Sequence, residues 1–281
     1  RERRRGLLPG APPPHRGPRL VGARGPVPPP RPFILWPLYV FLGTATVLGI
    51  SHHLNIDIQA LLWGLGDISE YIGRFGTPEL SNFPRVASLM AETLAMAVWG
   101  TALAVIIAVI LAPLAARNLS PNPILYRTAR EALNALRALP DLLIASIFVA
   151  ALGLGPLPGV LAIGLHSAGF LGKVLAEVLE RVDVGTYEAM RSVGANFAQI
   201  VMWAGWPSAL QEAVGYTIFL IDRNVRVAAI LGLVGAGGIG MELTVAFRLF
   251  QYDRAAGLIL VLLIVILSID YISDWARRLV R

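Results

Sequence analysis

Long stretches without a charged side chain constrain this sequence more than any other feature. Residues 33–56 contain no Asp, Glu, Lys or Arg, and neither does the segment between Glu92 and Arg117. A helix crosses a bilayer with about 20 consecutive apolar residues, because its backbone N–H and C=O groups must be paired within the segment. The composition agrees, since 56% of the residues are hydrophobic and only 15% are charged. These features exclude an ordinary soluble domain and predict an all-α integral membrane protein.

Six apolar segments predict six transmembrane helices. They lie at about 33–50, 93–116, 132–152, 160–177, 208–234 and 255–272. The third is predicted as one helix, although Arg137, Pro140 and Asp141 interrupt its first half. Between the first two segments, residues 58–72 carry apolar side chains at helical spacing, which predicts an amphipathic helix at the membrane interface. The turn-forming segment 153–159, GLGPLPG, predicts a tight outer turn.

The net charge of +6 is concentrated at the N-terminus. Residues 1–32 contain eight arginines, one glutamate and ten of the chain's 20 prolines. This composition predicts a disordered cytoplasmic arm that faces anionic lipid, and without interleaved aromatic residues it does not indicate nucleic-acid binding. Six crossings put both arginine-rich termini on one side, which the positive-inside rule places in the cytoplasm. The acidic segment 52–85 then lies outside, and the basic segment 117–131 lies inside.

The segment 188–207, EAMRSVGANFAQIVMWAGWP, carries the most informative motif. It predicts a helix that begins at Glu188, an interruption at Gly194, a second amphipathic piece, and Pro207 at the start of the next membrane helix. This arrangement resembles the EAA loop of binding-protein-dependent ABC importer permeases, although Met190 replaces the third small residue of that pattern. The matching positions are Glu188, Ala189, Gly194 and Pro207. The resemblance implies that these four residues couple the chain to a separate ATPase.

The resemblance covers about residues 85–281, which are similar to a MetI-like permease core. More narrowly, 136–180 and 224–240 resemble the permease subunit of phosphonate ABC importers. That implies inward transport of phosphonate or a related phosphorus oxyanion across the bacterial inner membrane, with another small anion or nutrient as the alternative cargo. It implies as partners a second copy of this chain, two copies of a cytoplasmic ATPase, and a periplasmic or lipid-anchored phosphonate-binding protein. Residues 33–84 would form an added N-terminal helix with a periplasmic segment, and 181–207 the coupling loop.

Three charged residues lie inside the fifth predicted span, where an unpaired charge is costly. Asp222 and Arg226 are four residues apart on one helix face and can neutralise each other, whereas Arg223 points about 100° away. In one interpretation, Arg223 and Arg226 line a path for an anion whose oxygens accept guanidinium hydrogen bonds. In the other, they join a structural network with Asp141, Asp270 or backbone carbonyls. The sequence leaves both open.

Four glycines, Gly235, Gly237, Gly238 and Gly240, predict an outer turn between the fifth and sixth spans. They also fit the pattern G-x-G-x-x-G, but no strand precedes them, so a dinucleotide site is not predicted. The sequence contains no phosphate-binding loop that ends in Gly-Lys-Ser/Thr. ATP hydrolysis is therefore expected on a partner chain.

Other functional classes receive little support. His166, in the fourth span, is either an interhelical hydrogen-bond partner or part of the anion path. The sequence contains no cysteine, and His52 and His53 have no partner at metal-ligand spacing, so no catalytic residue, metal or cofactor is expected on this chain. A secondary transporter, the alternative from another class, should show repeats and an intramembrane proton or sodium site. A membrane enzyme should show a catalytic constellation at one depth.

Overall fold

A computed structural model describes residues 36–54, 58–79 and 81–280, and within these ranges the chain contains helices and turns but no strand. The predicted arm, 1–32, and the first three residues of the first predicted span lie outside the described residues. The helices are α1 (Trp36–His53), α2 (Ile58–Gly73), α3 (Phe83–Ala115), α4 (Pro123–Ala138), α5 (Asp141–Leu152), α6 (Pro156–Arg181), α7 (Val184–Ser192), α8 (Phe197–Ile200), α9 (Trp206–Leu231), α10 (Gly238–Arg248) and α11 (Tyr252–Val280). A π-helical turn, Val201–Gly205, joins α8 to α9, and a 3-10 turn, Gly232–Val234, follows α9.

Internal contacts divide the chain into two units, 1–65 and 66–281. The first contains α1 and the start of α2, and the predicted helix over 58–72 is confirmed as α2. The second contains the end of α2 and all later helices. Within it, α6 lies at the centre and packs against α3, α4, α5 and α9.

The all-α membrane fold is confirmed for the described residues, whereas the number of crossings stays a prediction. Three helices, α3, α6 and α11, are each long and apolar enough to cross a bilayer. Two bent helix pairs raise the total to five if each pair counts as one crossing. The apolar part of α1, Trp36–Ser51, is shorter than these.

The prediction of one helix over 132–152 is wrong. The structure has two helices there, α4 and α5, bent by 84° at Leu139 and Pro140. Pro140 has no backbone N–H, and its ring disfavours helical geometry in the residue before it. Leu139 accordingly adopts an extended conformation, with φ −90° and ψ 137°. The break also places Asp141 at the start of α5.

Small residues let two packed helices, α3 and α6, approach closely. A Cβ atom added to Gly100 of α3 would lie 2.6 Å from the Ile163 side chain, and one added to Gly164 of α6 would lie 2.5 Å from Leu103. A Cβ atom added to Gly169 would lie 2.7 Å from the Leu133 carbonyl oxygen of α4. This packing of small residues against larger ones is typical of membrane helices.

Candidate functional site

The charges of α9 are paired, as far as the described residues show, and one pair is tight. Arg226 donates to both carboxylate oxygens of Asp222, at 3.1 Å and 2.6 Å. The Asp222 side chain is only 5% exposed, whereas that of Arg226 is 42% exposed. The predicted neutralisation across one helical turn is therefore present, and it is bidentate, the strongest arrangement for an arginine and a carboxylate.

Arg223 belongs to a looser group that three helices bring together. Its guanidinium lies 3.6 Å from Asp141 Oδ2 at the start of α5 and 3.4 Å from His166 Nε2 on α6. Both distances exceed those of an ordinary hydrogen bond. Arg223 lies eight residues before the end of α9, roughly 12 Å along a helix axis, and so within the membrane-spanning part. Sequence analysis left Arg223 without a local partner, and the bend between α4 and α5 supplies one.

His166 lies between Asp141, Arg223 and the end of α4. Its Nδ1 lies 3.0 Å from the Leu139 carbonyl oxygen and 2.9 Å from Asp141 Oδ1. Its Nε2 faces the Arg223 guanidinium at 3.4 Å. Asp141 Oδ1 is buried and has no hydrogen-bond donor among the described residues other than this His166 nitrogen. Asp141 is thus close to His166 and only loosely held by Arg223.

A second polar group lies beside this cluster, and sequence analysis missed it. Ser167 of α6 donates to Asn224 Oδ1 at 3.0 Å, and Asn224 Nδ2 donates to Thr101 of α3 at 2.9 Å. All three side chains are buried. This chain of uncharged hydrogen bonds holds three helices in register behind the charged residues. The sequence offered one signal for this group: Asn224 directly follows Arg223, and Ser167 directly follows His166.

The predicted ATPase-coupling segment folds into a short helical hairpin, α7 and α8. Its first helix begins at Val184, four residues before the predicted start, because the Asp183 side chain caps it by accepting from the Gly185 N–H. Glu188 therefore lies in the second turn of α7. Gly194 interrupts the helices with φ +77°, as predicted. Pro207 lies in the first turn of α9, also as predicted, but no break precedes α9.

The absence of a break has a local cause. The π-helical turn, Val201–Gly205, lies directly before Trp206, whose N–H bonds to the Val201 carbonyl five residues back. The wider turn makes room for Pro207, which cannot donate a helical hydrogen bond. As a result, Phe197–Val234 forms one continuous helical run that connects the hairpin to the membrane.

The four residues that match the EAA pattern, Glu188, Ala189, Gly194 and Pro207, are all exposed. One buried and one exposed hydrogen bond attach the hairpin to the rest of the chain. The Tyr187 hydroxyl donates to the Leu179 carbonyl at 2.9 Å, and burial raises the pKa of Tyr187 to about 12, so it stays a donor at neutral pH. Arg191 donates to the Asn118 carbonyl between α3 and α4. The hairpin therefore presents an exposed surface from a firmly attached base.

The predicted outer turn is shorter than expected. Gly235 and Gly237 adopt positive φ angles of 93° and 85°, but Gly238 and Gly240 already belong to α10. The first N–H groups of α10 need acceptors, and α3 provides them: the Gly238 N–H donates to Glu92 and the Ile239 N–H donates to Thr93. These glycines form a structural joint between α9, α10 and α3.

The described residues contain no group of three or more His, Cys, Asp or Glu side chains placed to hold a metal ion.

Three comparisons with known proteins agree that the chain resembles the membrane subunits of transporters. Residues 104–281 match the family of binding-protein-dependent transport system inner membrane components.

Two curated proteins and one solved structure illustrate the match. The phosphite transport system permease protein PtxC of Stutzerimonas stutzeri is 40% identical over 223 residues, which cover 79% of this chain and 81% of that protein. The phosphate-import permease protein PhnE of Mycolicibacterium smegmatis is 43% identical over 220 residues, covering 78% of this chain and 41% of that protein. The MetNI methionine ABC transporter in an inward-facing conformation shares the fold, with a TM-score of 0.58 and 23% identity, over 70% of this chain and 96% of that chain.

Proposed function

Because the chain belongs to the family of binding-protein-dependent transport system inner membrane components, we propose that it forms the membrane path of an ATP-driven importer for phosphonate or a related phosphorus oxyanion. It is a transport component and not an enzyme. The observation that carries the cargo class is the 40% identity, over 79% of the chain, to a permease named for phosphite transport. Another small anion or nutrient remains the alternative cargo.

The geometry of the charged cluster supports an anion path and divides the roles within it. Asp222 holds Arg226 through two short hydrogen bonds, so that arginine is already neutralised. Arg223 is held only at 3.4 Å to 3.6 Å, whereas its partner Asp141 also has His166 Nδ1 at 2.9 Å. An arriving oxyanion can therefore replace Asp141 at the Arg223 guanidinium, whose planar fork matches phosphorus oxyanions. Loose binding suits a path, since a cargo that binds tightly leaves slowly.

The surface of the chain supports partners on both sides of this path. Arg223 and Arg226 keep 31% and 42% of their side chains exposed within the membrane part, which a second copy of the chain or a water-filled path would cover. The exposed α7–α8 hairpin suits docking of an ATPase, and Val193 at its tip is 78% exposed. We assign two ATPase copies to a homodimer of this chain, with a phosphonate-binding protein on the opposite face.

The orientation follows from the same assignment. With the hairpin on the ATPase side, both termini are cytoplasmic and residues 52–85 are periplasmic. Residues 85–281 then form the permease core, 33–84 form the added N-terminal segment, and 1–32 form the cytoplasmic arm. In this proposal the arm is dispensable for transport chemistry and contributes to the orientation of the chain in the membrane.

Uptake by the reconstituted importer tests the cargo path. We expect Arg223→Gln to assemble, to keep the ATP hydrolysis that the loaded binding protein stimulates, and to slow phosphonate uptake about tenfold, because one charge-assisted contact is lost. Arg223→Lys should restore part of the uptake, since an ammonium keeps the charge but not the fork. Arg74→Gln, which opens an exposed pair with Glu70, is the matched control and should transport normally.

The outcomes separate the alternatives. Wild-type uptake by Arg223→Gln would show that the path runs along other residues. Uptake of phosphonate, phosphite and phosphate should compete with one another, and uptake that persists without ATP but follows a proton or sodium gradient would instead establish a secondary transporter. Competition only by unrelated nutrients would overturn the assigned cargo class.

A further inference from the structure

A cavity of about 510 Å³ lies between the end of α3 and the start of α4, away from the charged cluster. Two arginines, Arg117 and Arg127, line it together with the hydroxyl-bearing side chains of Ser120 and Tyr126. None of its lining residues is acidic, as far as the described part of the chain shows. It lies on the side of the α7–α8 hairpin, because Arg191 of α7 donates to the carbonyl of Asn118.

The two guanidinium groups in this cavity are free. Neither the Arg117 nor the Arg127 side chain forms a hydrogen bond or ion pair with any described residue. Glu131 is one helical turn beyond Arg127 but forms no ion pair with it. Glu180 accepts from the Arg117 backbone N–H and from the Arg130 side chain, so its charge is already engaged. The cavity thus combines two unpaired positive charges with neutral hydrogen-bond donors.

A larger cavity on the opposite side shows that arginines alone do not make such a site. It measures about 660 Å³ and is lined by Arg74, Arg85 and Arg254. Each of these has a carboxylate partner: Arg74 pairs with Glu70, and the other two pair with Glu242. That cavity has no free guanidinium among its described lining residues, and it does not offer an anion the same unpaired charge.

The backbone around the smaller cavity is held in place before any ligand arrives. The Arg117 N–H donates to Glu180 Oε1 at 2.7 Å, and Asn118 Nδ2 donates to the Leu179 carbonyl at 3.2 Å. On the other wall, Asn122 caps α4 by accepting from the Leu125 N–H at 2.7 Å. A fixed frame lowers the entropic cost of binding, because little has to be ordered when the ligand enters.

We propose that this cavity binds a phosphate-bearing anion between Arg117 and Arg127. Guanidinium groups match phosphate oxygens by bidentate hydrogen bonding, and the start of α4 adds a favourable dipole. The volume exceeds what a bare phosphate ion fills and suits a phosphate ester. Such a group can come from an anionic phospholipid, because the cavity lies at the end of the apolar helix α3 beside Ile124, which is 78% exposed, or from a soluble ester.

The site also has a structural route to the hairpin. Asn118, next to Arg117, is bonded through its side chain to the end of α6 and through its carbonyl to Arg191 of α7. A bound anion therefore restricts the loop between α3 and α4, which is hydrogen-bonded to α6 and α7. The assignment of this face to the cytoplasm rests on the proposed function, whereas the binding itself does not.

Direct binding to the full complex tests the site independently of transport. One arm places the complex in nanodiscs of phosphatidylcholine with or without phosphatidylglycerol and measures retained anionic lipid by native mass spectrometry. The other arm titrates glycerol 3-phosphate into phosphatidylcholine nanodiscs by calorimetry. We expect Arg117→Gln and Arg127→Gln each to weaken binding about tenfold in one arm, and the double variant to abolish it.

Matched variants keep this test decisive. Arg278→Gln removes one exposed, unpaired charge from the same end of the helices and should leave binding unchanged. Arg117→Lys and Arg127→Lys should each keep part of the binding that the glutamine variants lose. Dependence on phosphatidylglycerol alone identifies a lipid headgroup, and dependence on glycerol 3-phosphate alone identifies a soluble ester. Equal binding by the wild type and the folded double variant in both arms overturns the site, whether or not the complex imports phosphonate.

Discussion

Glycines in the membrane helices and the glycine of the α7–α8 hairpin are constrained for different reasons. A Cβ atom added to Gly240 would lie 1.9 Å from the Ala229 carbonyl oxygen, and one added to Gly232 would lie 2.4 Å from the Met241 nitrogen. A Cβ atom on Gly194 would meet nothing within 4 Å. At Gly194 the only feature of this chain that favours glycine is the backbone angle, φ +77°. Gly232 and Gly240 are therefore constrained by contacts within the chain, whereas the space beside Gly194 is open for a partner.

Charged residues of the two regions differ in the same way. Within the membrane part, Asp222 is 5% exposed and fully engaged by Arg226. Glu188 of the hairpin is exposed and forms no hydrogen bond or ion pair with any described residue. An unpaired charge is costly in hydrocarbon and cheap in water, so the hairpin can keep one available at little cost. Substitutions that break a buried ion pair or a tight glycine contact in the membrane part should therefore destabilise the chain, and substitutions in the hairpin should weaken the complex with a partner.

The largest effect is expected from Gly240→Ala. The added methyl group would collide with the backbone of α9, which cannot move aside as a side chain can. We expect a loss of at least about 3 kcal/mol in stability, at the upper end of overpacking costs, and little folded protein after detergent extraction. Gly215→Ala is the matched control, because Gly215 lies in α9 with nothing within 4 Å and alanine gains up to about 1 kcal/mol there. Equal yields of folded protein for the two variants would contradict the close contact between Gly240 and the Ala229 carbonyl.

A smaller effect is expected from Asp222→Asn. It leaves Arg226 unpaired in the membrane part and should cost about 3 kcal/mol or somewhat less, because Arg226 is partly exposed. Thermal unfolding in nanodiscs measures the loss. The double variant Asp222→Asn with Arg226→Gln should recover most of it, because no charge is then left without a partner. Failure of the double variant to recover would mean that Asp222 does more than neutralise Arg226.

The sequence predicted the charge pairing within α9 better than it predicted the contacts of α9 with other helices. Helical spacing was enough to pair Asp222 with Arg226, because both lie on one helix. The contact of Arg223 with Asp141 depends on the 84° bend at Pro140, which carries the start of α5 towards α9. Spacing along one helix carries no information about such a contact. The polar chain through Asn224 was missed for the same reason, since its three members lie on three helices.

The predicted helix boundaries were wrong where a local cap or turn, and not the hydrophobic pattern, determines where a helix begins or ends. The cap at Asp183 moved the start of α7 four residues before Glu188. The π-helical turn before Trp206 replaced an expected break with a continuous helix. α10 was not predicted, because the acceptors for its first N–H groups, Glu92 and Thr93, are more than a hundred residues away in the sequence. The interruption at Gly194 was predicted, and the structure shows that its φ is +77°, an angle that glycine commonly adopts at a helix end.

The smallest effect on the chain itself, with a large effect on the complex, is expected at Gly194. Asparagine and aspartate tolerate a positive φ, whereas alanine there costs about 1 to 2 kcal/mol. Gly194→Asn and Gly194→Asp should therefore fold like the wild type and insert in the membrane, as thermal unfolding of the purified chain would show.

Copurification of the ATPase then shows whether docking depends on the backbone angle at Gly194 or on the open space beside it. If only the backbone angle mattered for docking, Gly194→Asn would retain the ATPase and Gly194→Ala would lose part of it. We expect instead that Gly194→Asn and Gly194→Asp both lose the ATPase, because the open surface beside Gly194 is the space that the ATPase fills. Gly215→Ala, which leaves the hairpin unchanged, should retain it. Wild-type retention by Gly194→Asp would remove the coupling role from this hairpin, and the exposed Glu188 would then need another explanation.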